Sequence, residues 1–252
     1  MDKLLRVATK AGQIILMSGA ETYRVEETIV KICQAYHVDE ANAFVLPTGV
    51  FVSVINDGKT YSSNVRIKRR STDLNIIHEV NQLARNVQTE EMSLDELDKK
   101  LDELINTPKY KWYIVDLFAG IGAFGFAFFF GGTIKDAICS FVAGFLVKLL
   151  VDTLDRLEVS SFICNAVGGA FVTLMAYWCC QLSLGSSIDK IVIATIMLLV
   201  PGICITNAVR DTLGGDLVSG ISRAIEAVLI STSIALGAGL AVSLIRMFGG
   251  VM

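Results

Sequence analysis

The residues best equipped for chemistry lie in one segment, Asn207 to Arg223, which reads NAVRDTLGGDLVSGISR, with Glu226 just beyond it. Arg210 and Arg223 carry planar cationic forks that match a carboxylate. Asp211, Asp216 and Glu226 are acids set among apolar residues, where a carboxyl must be paired, be protonated or line water. Arg223 and Glu226 stand at i, i+3, close enough to pair on one helix face. Two uses of these groups remain open. Arg223 pairs with Glu226 or with Asp211 in a purely structural role, or the group binds an anionic solute or carries a proton. A second set lies earlier in the chain: Lys148 and Asp152 are at i, i+4 and can pair on one face, and Asp116 falls one turn into an apolar run. The candidate pathway residues are therefore Pro201, Gly202, Asn207, Arg210, Asp211, Asp216, Arg223, Glu226, Lys148 and Asp152. No catalytic residue, metal ligand set or cofactor motif is expected.

The elements that position these groups are apolar helices. Between Lys190 and Arg210 run nineteen residues without a charge, with Pro201-Gly202 at their centre. Nineteen helical residues cover roughly 28 Å, the thickness of a bilayer's hydrocarbon core. Proline removes a backbone donor and glycine loosens the helix, so this span is expected to break near mid-membrane. Broken helices at that depth expose backbone groups to a solute. Five spans are expected in all: 112–130, 134–151, 160–182, 188–208 and 217–248. The last is long enough to tilt or to extend beyond the bilayer. Glu226 would lie roughly 15 Å along it, near the depth of the Pro201 break. Small residues at Gly215, Ser219, Gly220 and Ala224 would let helices approach closely. With the N-terminal domain inside, Lys109, Lys111, Lys148, Arg156, Arg210 and Arg223 gather on the cytoplasmic side, against Lys135, Lys190 and Arg246 outside. This bias places the N-terminus in the cytoplasm and the C-terminus outside a cell (inner) membrane. Five spans without an internal repeat point to an oligomer or a missing partner.

Composition divides the chain in the same way. Residues 1–111 carry 15 Lys/Arg and 16 Asp/Glu, while the longer remainder carries 7 and 9. The whole is 53% hydrophobic with mean hydropathy +0.57. We expect an α-helical integral membrane protein, with a small α+β cytoplasmic domain over 1–110 and a transmembrane domain over 111–252. In the first domain, Ser18-Gly-Ala-Glu21 fits a capping box ahead of a helix bearing Val25, Ile29, Ile32, Cys33 and Tyr36. AFVLPTGVFVSVINDGKTYSSNVRI reads as strands, with Asp57-Gly58 as a hairpin turn. Ser71 or Thr72 is expected to cap the next helix, Ser93-Leu-Asp-Glu96 forms a second capping box, and Pro108 ends the helix after it. Net charge is −3 and no basic tract suggests nucleic acid. Arg66, Lys68, Arg69 and Arg70 read as a solvated strand end, with contact to anionic lipid head groups as the alternative. Gly58-Lys59-Thr60 lacks the upstream glycine of a P-loop, because position 53 is Ser. His78-Glu79 is not a zinc-protease motif, because position 82 is Gln. The N-terminal residues lack the apolar core of a secretory leader. The six cysteines form no C-x-x-C and are expected reduced, five of them within spans.

Three stretches carry a family resemblance: SGAETYRVEETI, FVLPTGVFVSV, and LVPGICITNAVRDTLGGDLVSGISRAIEA from Leu199 to Ala227. Together they resemble the large subunit of the threonine/serine exporter family, over nearly the whole chain. That resemblance implies a half-transporter completed by a separate small membrane subunit. It also implies export of threonine- or serine-type amino acids, or of succinate-like dicarboxylates. It supplies no binding residues. The partners expected are thus the small membrane subunit, a homo-oligomer, a small-molecule substrate and the lipid bilayer. The competing readings are a membrane-anchored hydrolase, which would need a nucleophile and base near His37 or His78, and a regulatory subunit of a transport complex.

Overall fold

The computed structural model of the chain describes residues 1–106 and 110–248. By packing, the chain forms two compact units: Met1–Pro108 with Gly202–Ile225, and Lys109–Pro201 with Glu226–Met252. The expected helix stop at Pro108 and the basic entry at Lys109 lie outside the described residues.

The first unit opens with α1 (Asp2–Met17) and α2 (Thr22–Ala35). Three strands follow, β1 (Glu40–Leu46), β2 (Gly49–Asn56) and β3 (Lys59–Arg66), in an antiparallel meander of that order. Asp57 and Gly58 both have positive φ, 52° and 70°, the geometry that matches the right-handed twist of two-residue hairpins. Register sets Val50 opposite both Val45 and Val65, so the buried valines of β2 share one face of the sheet. That face packs on α1, and α2 lies against both α1 and β1. α3 (Leu74–Thr89) and α4 (Leu94–Asn106) complete the layer. Val7, Ile15, Leu16, Val25, Ile29, Ile32, Val54, Leu97 and Leu101 form one dry core. Every predicted core position of α2 except the half-buried Tyr36 is buried, as helical spacing requires.

Two predicted caps are corrected. Ser18 does not start α2: it ends α1, and its Oγ donates to the Ile14 carbonyl at 2.8 Å, while Glu21 takes the N-cap position. Neither Ser71 nor Thr72 caps α3. Asp73 does, accepting from the Ile76 N–H at 3.1 Å. Ser93 makes the side-chain bond of its expected capping box, its Oγ accepting from Glu96 N–H at 3.2 Å.

The second unit contains α5 (Trp112–Phe129), α6 (Ile134–Arg156), α7 (Ser161–Gln181), α8 (Ile188–Ile196) and the later part of α10 (Leu217–Met247). Its interior is built from small side chains, among them Ala123, Ala127, Ala137, Ala143, Ala176 and Ala194. Its exterior shows Phe118, Phe129, Leu229 and Leu240. Small residues inside and large apolar ones outside are the pattern of helices that pack within lipid. The molecule is therefore a multi-span membrane protein.

The number of spans is corrected. Among the described residues, four helices are long and apolar enough to cross a bilayer: α5, α6, α7 and α10. The fifth expected span, 188–208, is two short helices, α8 and α9 (Gly202–Leu213). After Ile196 the chain tightens, with Leu198 and Leu199 N–H bonding three residues back, to Thr195 and Ile196. Pro201 offers no N–H with which to resume the ladder. The break was expected, but it is a full interruption rather than a kink in one span.

Candidate functional site

The turn between α1 and α2 leaves backbone groups that neither helix can satisfy. Gly19, at φ +91°, carries the chain out of α1. The carbonyls of Gly19 and Ala20 then point away from both ladders, and Thr22 N–H is one of the orphan donors at the start of α2. Side chains of α9 and the first turns of α10 take all three. Asn207 Nδ2 donates to Gly19 O at 2.8 Å, and Arg223 Nη2 donates to Ala20 O at 2.8 Å. Asp211 Oδ1 accepts from Thr22 N–H at 3.0 Å, and its Oδ2 accepts from Thr22 Oγ1 at 3.1 Å. The same Oδ2 lies 2.9 Å from Arg223 Nε.

Asp211 is fully buried and the Arg223 side chain is 4% exposed. An anion is stable there because it faces the positive end of α2 and a guanidinium at once. α9 and α10 can present both partners to it because their hairpin is tight. A Cβ on Gly220 would lie 2.1 Å from Thr212 Oγ1 and 3.0 Å from the Ala208 carbonyl, so only glycine fits without displacement. The turn itself passes through Gly215 at φ +95°.

A second layer surrounds this pair. Glu21 holds Arg24 at Nε–Oε2 2.8 Å and also bonds Arg210. Burial pushes the Glu21 carboxyl up, but its own backbone N–H, Arg24 and Arg210 outweigh that and hold it below the usual range. Glu26 goes the other way: burial raises it, and the nearby Asp216 and Asp211 charges add to the rise, against one bond from Val45 N–H at 2.9 Å. Asp216 is raised as well, by burial first and then by Asp211. Exposure separates the two arginines. The Arg210 side chain is 55% exposed, so its guanidinium meets water while Arg223 does not.

The structure thus brings together Asn207, Arg210, Asp211 and Arg223, with Asp216 in the adjoining turn. Of the two structural partners open to Arg223, Asp211 lies at ion-pair distance, 2.9 Å. Gly202 opens α9 with nothing near its Cα face. Pro201, Glu226, Lys148 and Asp152 belong to the other unit. There, Glu226 is half-buried on α10, and Lys148 and Asp152 pair on α6 at 2.6 Å. Glu21, Thr22 and Glu26 were not predicted as site residues. The signal for them was the polar step between two amphipathic helices, where a glycine and a helix start leave carbonyls and an N–H to be filled from elsewhere.

Residues 6–245 match the family model described as "Putative threonine/serine exporter". A protein of Mycobacterium tuberculosis named "Probable threonine/serine exporter" is 23% identical over 93% of this chain and 45% of its own length. The threonine/serine exporter of Corynebacterium glutamicum is 25% identical over 96% of this chain and 51% of its own. A probable succinate transporter subunit of Klebsiella aerogenes is 21% identical over 95% of this chain and 93% of its own length. The chain therefore spans about half the length of the exporters it matches, and nearly all of the succinate transporter subunit. No solved structure matches it.

Proposed function

This chain belongs to the threonine/serine exporter family, and on that premise we propose that it is one subunit of a secondary exporter of small carboxylate-bearing metabolites. The substrates are threonine- and serine-type amino acids or succinate-like dicarboxylates, the two classes named among its relatives. A separate small membrane subunit completes the path, which accords with a chain half as long as the exporters it resembles. The N-terminal domain faces the cytoplasm.

The observation that carries this reading is the unequal exposure of the two arginines around one turn. Arg223 is spent on Asp211 in a dry pair. Arg210 sits in the last turn of α9, after the Pro201 break, and holds Glu21 with its guanidinium half in water. A solute carboxylate can therefore replace Glu21 on Arg210, while Asp211 and Arg223 hold the helices that present it. Arg210 is the exposed member of this pair, and the buried Glu21 keeps Arg24 when Arg210 leaves, so the exchange strands no charge. Asn207 and Asp211 act as positioning residues in this scheme.

The test is efflux from cells preloaded with labelled threonine, serine or succinate. It compares this chain alone with this chain beside its small membrane partner. Release of one label only from the pair supports the two-subunit exporter and names the substrate class. Release of none, with both proteins in the membrane, removes the exporter reading.

A further inference from the structure

Asp116 lies in the second turn of α5, is 1% exposed, and its Oδ1 has no hydrogen-bond partner among the described residues. A buried carboxyl oxygen left without a donor is costly in any protein and more so in a membrane span. α5 packs on α6 and α8. Its approach to α6 is close: a Cβ on Gly120 would lie 2.9 Å from the Phe141 carbonyl. Asp116 is one turn before Gly120 on that face, and the charged groups acting on it are Asp152, Lys148 and Arg156, all of α6. The charged residues of α8, Asp189 and Lys190, lie in its first turn, where Lys190 bonds the Gly131 carbonyl just beyond the opposite end of α5.

Charge bookkeeping makes the site two-state. Lys148 is bound to Asp152 at 2.6 Å, so that pair is neutral and Asp116 is left out of it. An ionised Asp116 in this arrangement would be a buried charge offset only by the exposed Arg156, at a cost of several kcal/mol. It is relieved either by a proton on Asp116 or by Lys148 turning from Asp152 to Asp116. α6 is suited to such traffic. Asp136, Ser140, Gly144, Lys148 and Asp152 follow one another in steps of four along it, and the buried Ser140 Oγ is also without a partner among the described residues. By contrast Asp211 is saturated by Thr22 and Arg223 and has no such vacancy in its bonding.

We propose that Asp116 is the group through which this protein takes up and releases a proton, with the Lys148–Asp152 pair as its electrostatic counterpart. In one state the Asp116 O–H is intact and Lys148 stays on Asp152. In the other that O–H bond is broken, the proton has passed to water, and Lys148 turns to the Asp116 carboxylate. The only other exchange is the ion pair that Lys148 gives up with Asp152, whose side chain is 34% exposed and keeps its charge in water. The use of this step to drive solute efflux rests on the exporter reading above.

Two measurements decide it. Infrared difference spectra of the full chain in lipid bilayers, titrated with pH, are expected to show a protonated-carboxyl band that fades as pH rises. The band is absent from Asp116→Asn and returns at a shifted position in Asp116→Glu, which also shows that the variants assemble. Identical titrations of wild type and Asp116→Asn overturn the proposal. In vesicles holding the chain and its small partner subunit, protons moved per labelled solute should fall about tenfold or more in Asp116→Asn. An unchanged ratio likewise overturns it. If wild type moves no label, the exporter reading alone fails, because the infrared titration still decides the assignment of Asp116.

Discussion

Asp211 and Arg223 face each other across the α9–α10 hairpin with Oδ2 and Nε 2.9 Å apart, both almost wholly withdrawn from water. Asp211 also accepts from Thr22, and Arg223 donates to the Ala20 carbonyl. This is a buried ion pair, and breaking one side leaves the other charge stranded. Arg223→Met should therefore destabilise the Met1–Pro108 unit by about 3–5 kcal/mol, and Asp211→Asn by a similar amount. The double variant should recover much of that loss, because both charges leave together. Thermal or denaturant unfolding of the four proteins of this cycle checks the coupling. Simple additivity would show that the two residues do not act as a pair.

Glu21 predicts an acid limb to stability. Its carboxyl is held below the usual range in the folded protein, so the unfolded chain binds the proton more readily. Its contribution is then present above the unfolded value, near 4.3, and is lost as pH falls through the folded one. Glu26 has the opposite sign. Raised in the folded state, it withdraws stability as pH climbs from the unfolded value through its folded one. Glu21→Gln should flatten the acid limb, and Glu26→Gln should relieve the loss on the other side. Unfolding free energy measured against pH for both variants tests the two signs separately.

Gly220 is the steric condition for the hairpin. Gly220→Ala places a methyl against Thr212 Oγ1 and the Ala208 carbonyl. We expect a loss of about 1–3 kcal/mol. Adding Thr212→Ala should restore part of it by removing the nearer clash, while the contact with the carbonyl remains. No rescue by the second change would show that Thr212 is not the obstacle.

Cys33 should be inert. Burial pushes its thiol up to about 11 and its exposure is nil, so almost no thiolate is present at neutral pH and no reagent can reach it. Thiol labelling of the folded protein, read by mass spectrometry, should modify Cys33 only when the domain is unfolded. Fast modification in native buffer would contradict the packing of α2.

Much of this architecture was legible in the residues because it follows from period and composition. The helical spacing of Val25, Ile29 and Ile32, the Asp57-Gly58 hairpin and the apolar runs of α5, α6, α7 and α10 each have a local cause. The family resemblance carried by SGAETYRVEETI and the Leu199–Ala227 segment likewise agrees with the match over residues 6–245. The caps were less legible. Ser18-Gly-Ala-Glu21 satisfies the pattern of a capping box, yet Ser18 bonds backward into α1 because Gly19 turns the chain there. Thr133 and Asp136 form a true capping box, and Asp136 Oδ1 also accepts from Ser186 and Ser187 N–H at 2.6 and 2.9 Å. That role depends on a loop fifty residues away, which no local pattern contains. The site was half legible for the same reason. Arg210, Asp211 and Arg223 stood out as charges in an apolar setting, but their partners Glu21, Thr22 and Ala20 are joined to them only by the fold.

The most direct test is solute efflux with Arg210 altered, because its guanidinium is the group proposed to exchange Glu21 for a solute carboxylate. Arg210→Gln should lower efflux of the transported label by about tenfold or more, with Arg210→Lys between, since a lysine keeps the charge and loses the fork. Arg210 is 55% exposed and the buried Glu21 keeps Arg24 as a partner, so folding stability should change by only about 1 kcal/mol. Efflux lost at normal protein level and normal unfolding temperature is the predicted result. Arg210→Gln exporting at the wild-type rate would contradict it, and would leave Arg210 as nothing more than a surface partner of Glu21.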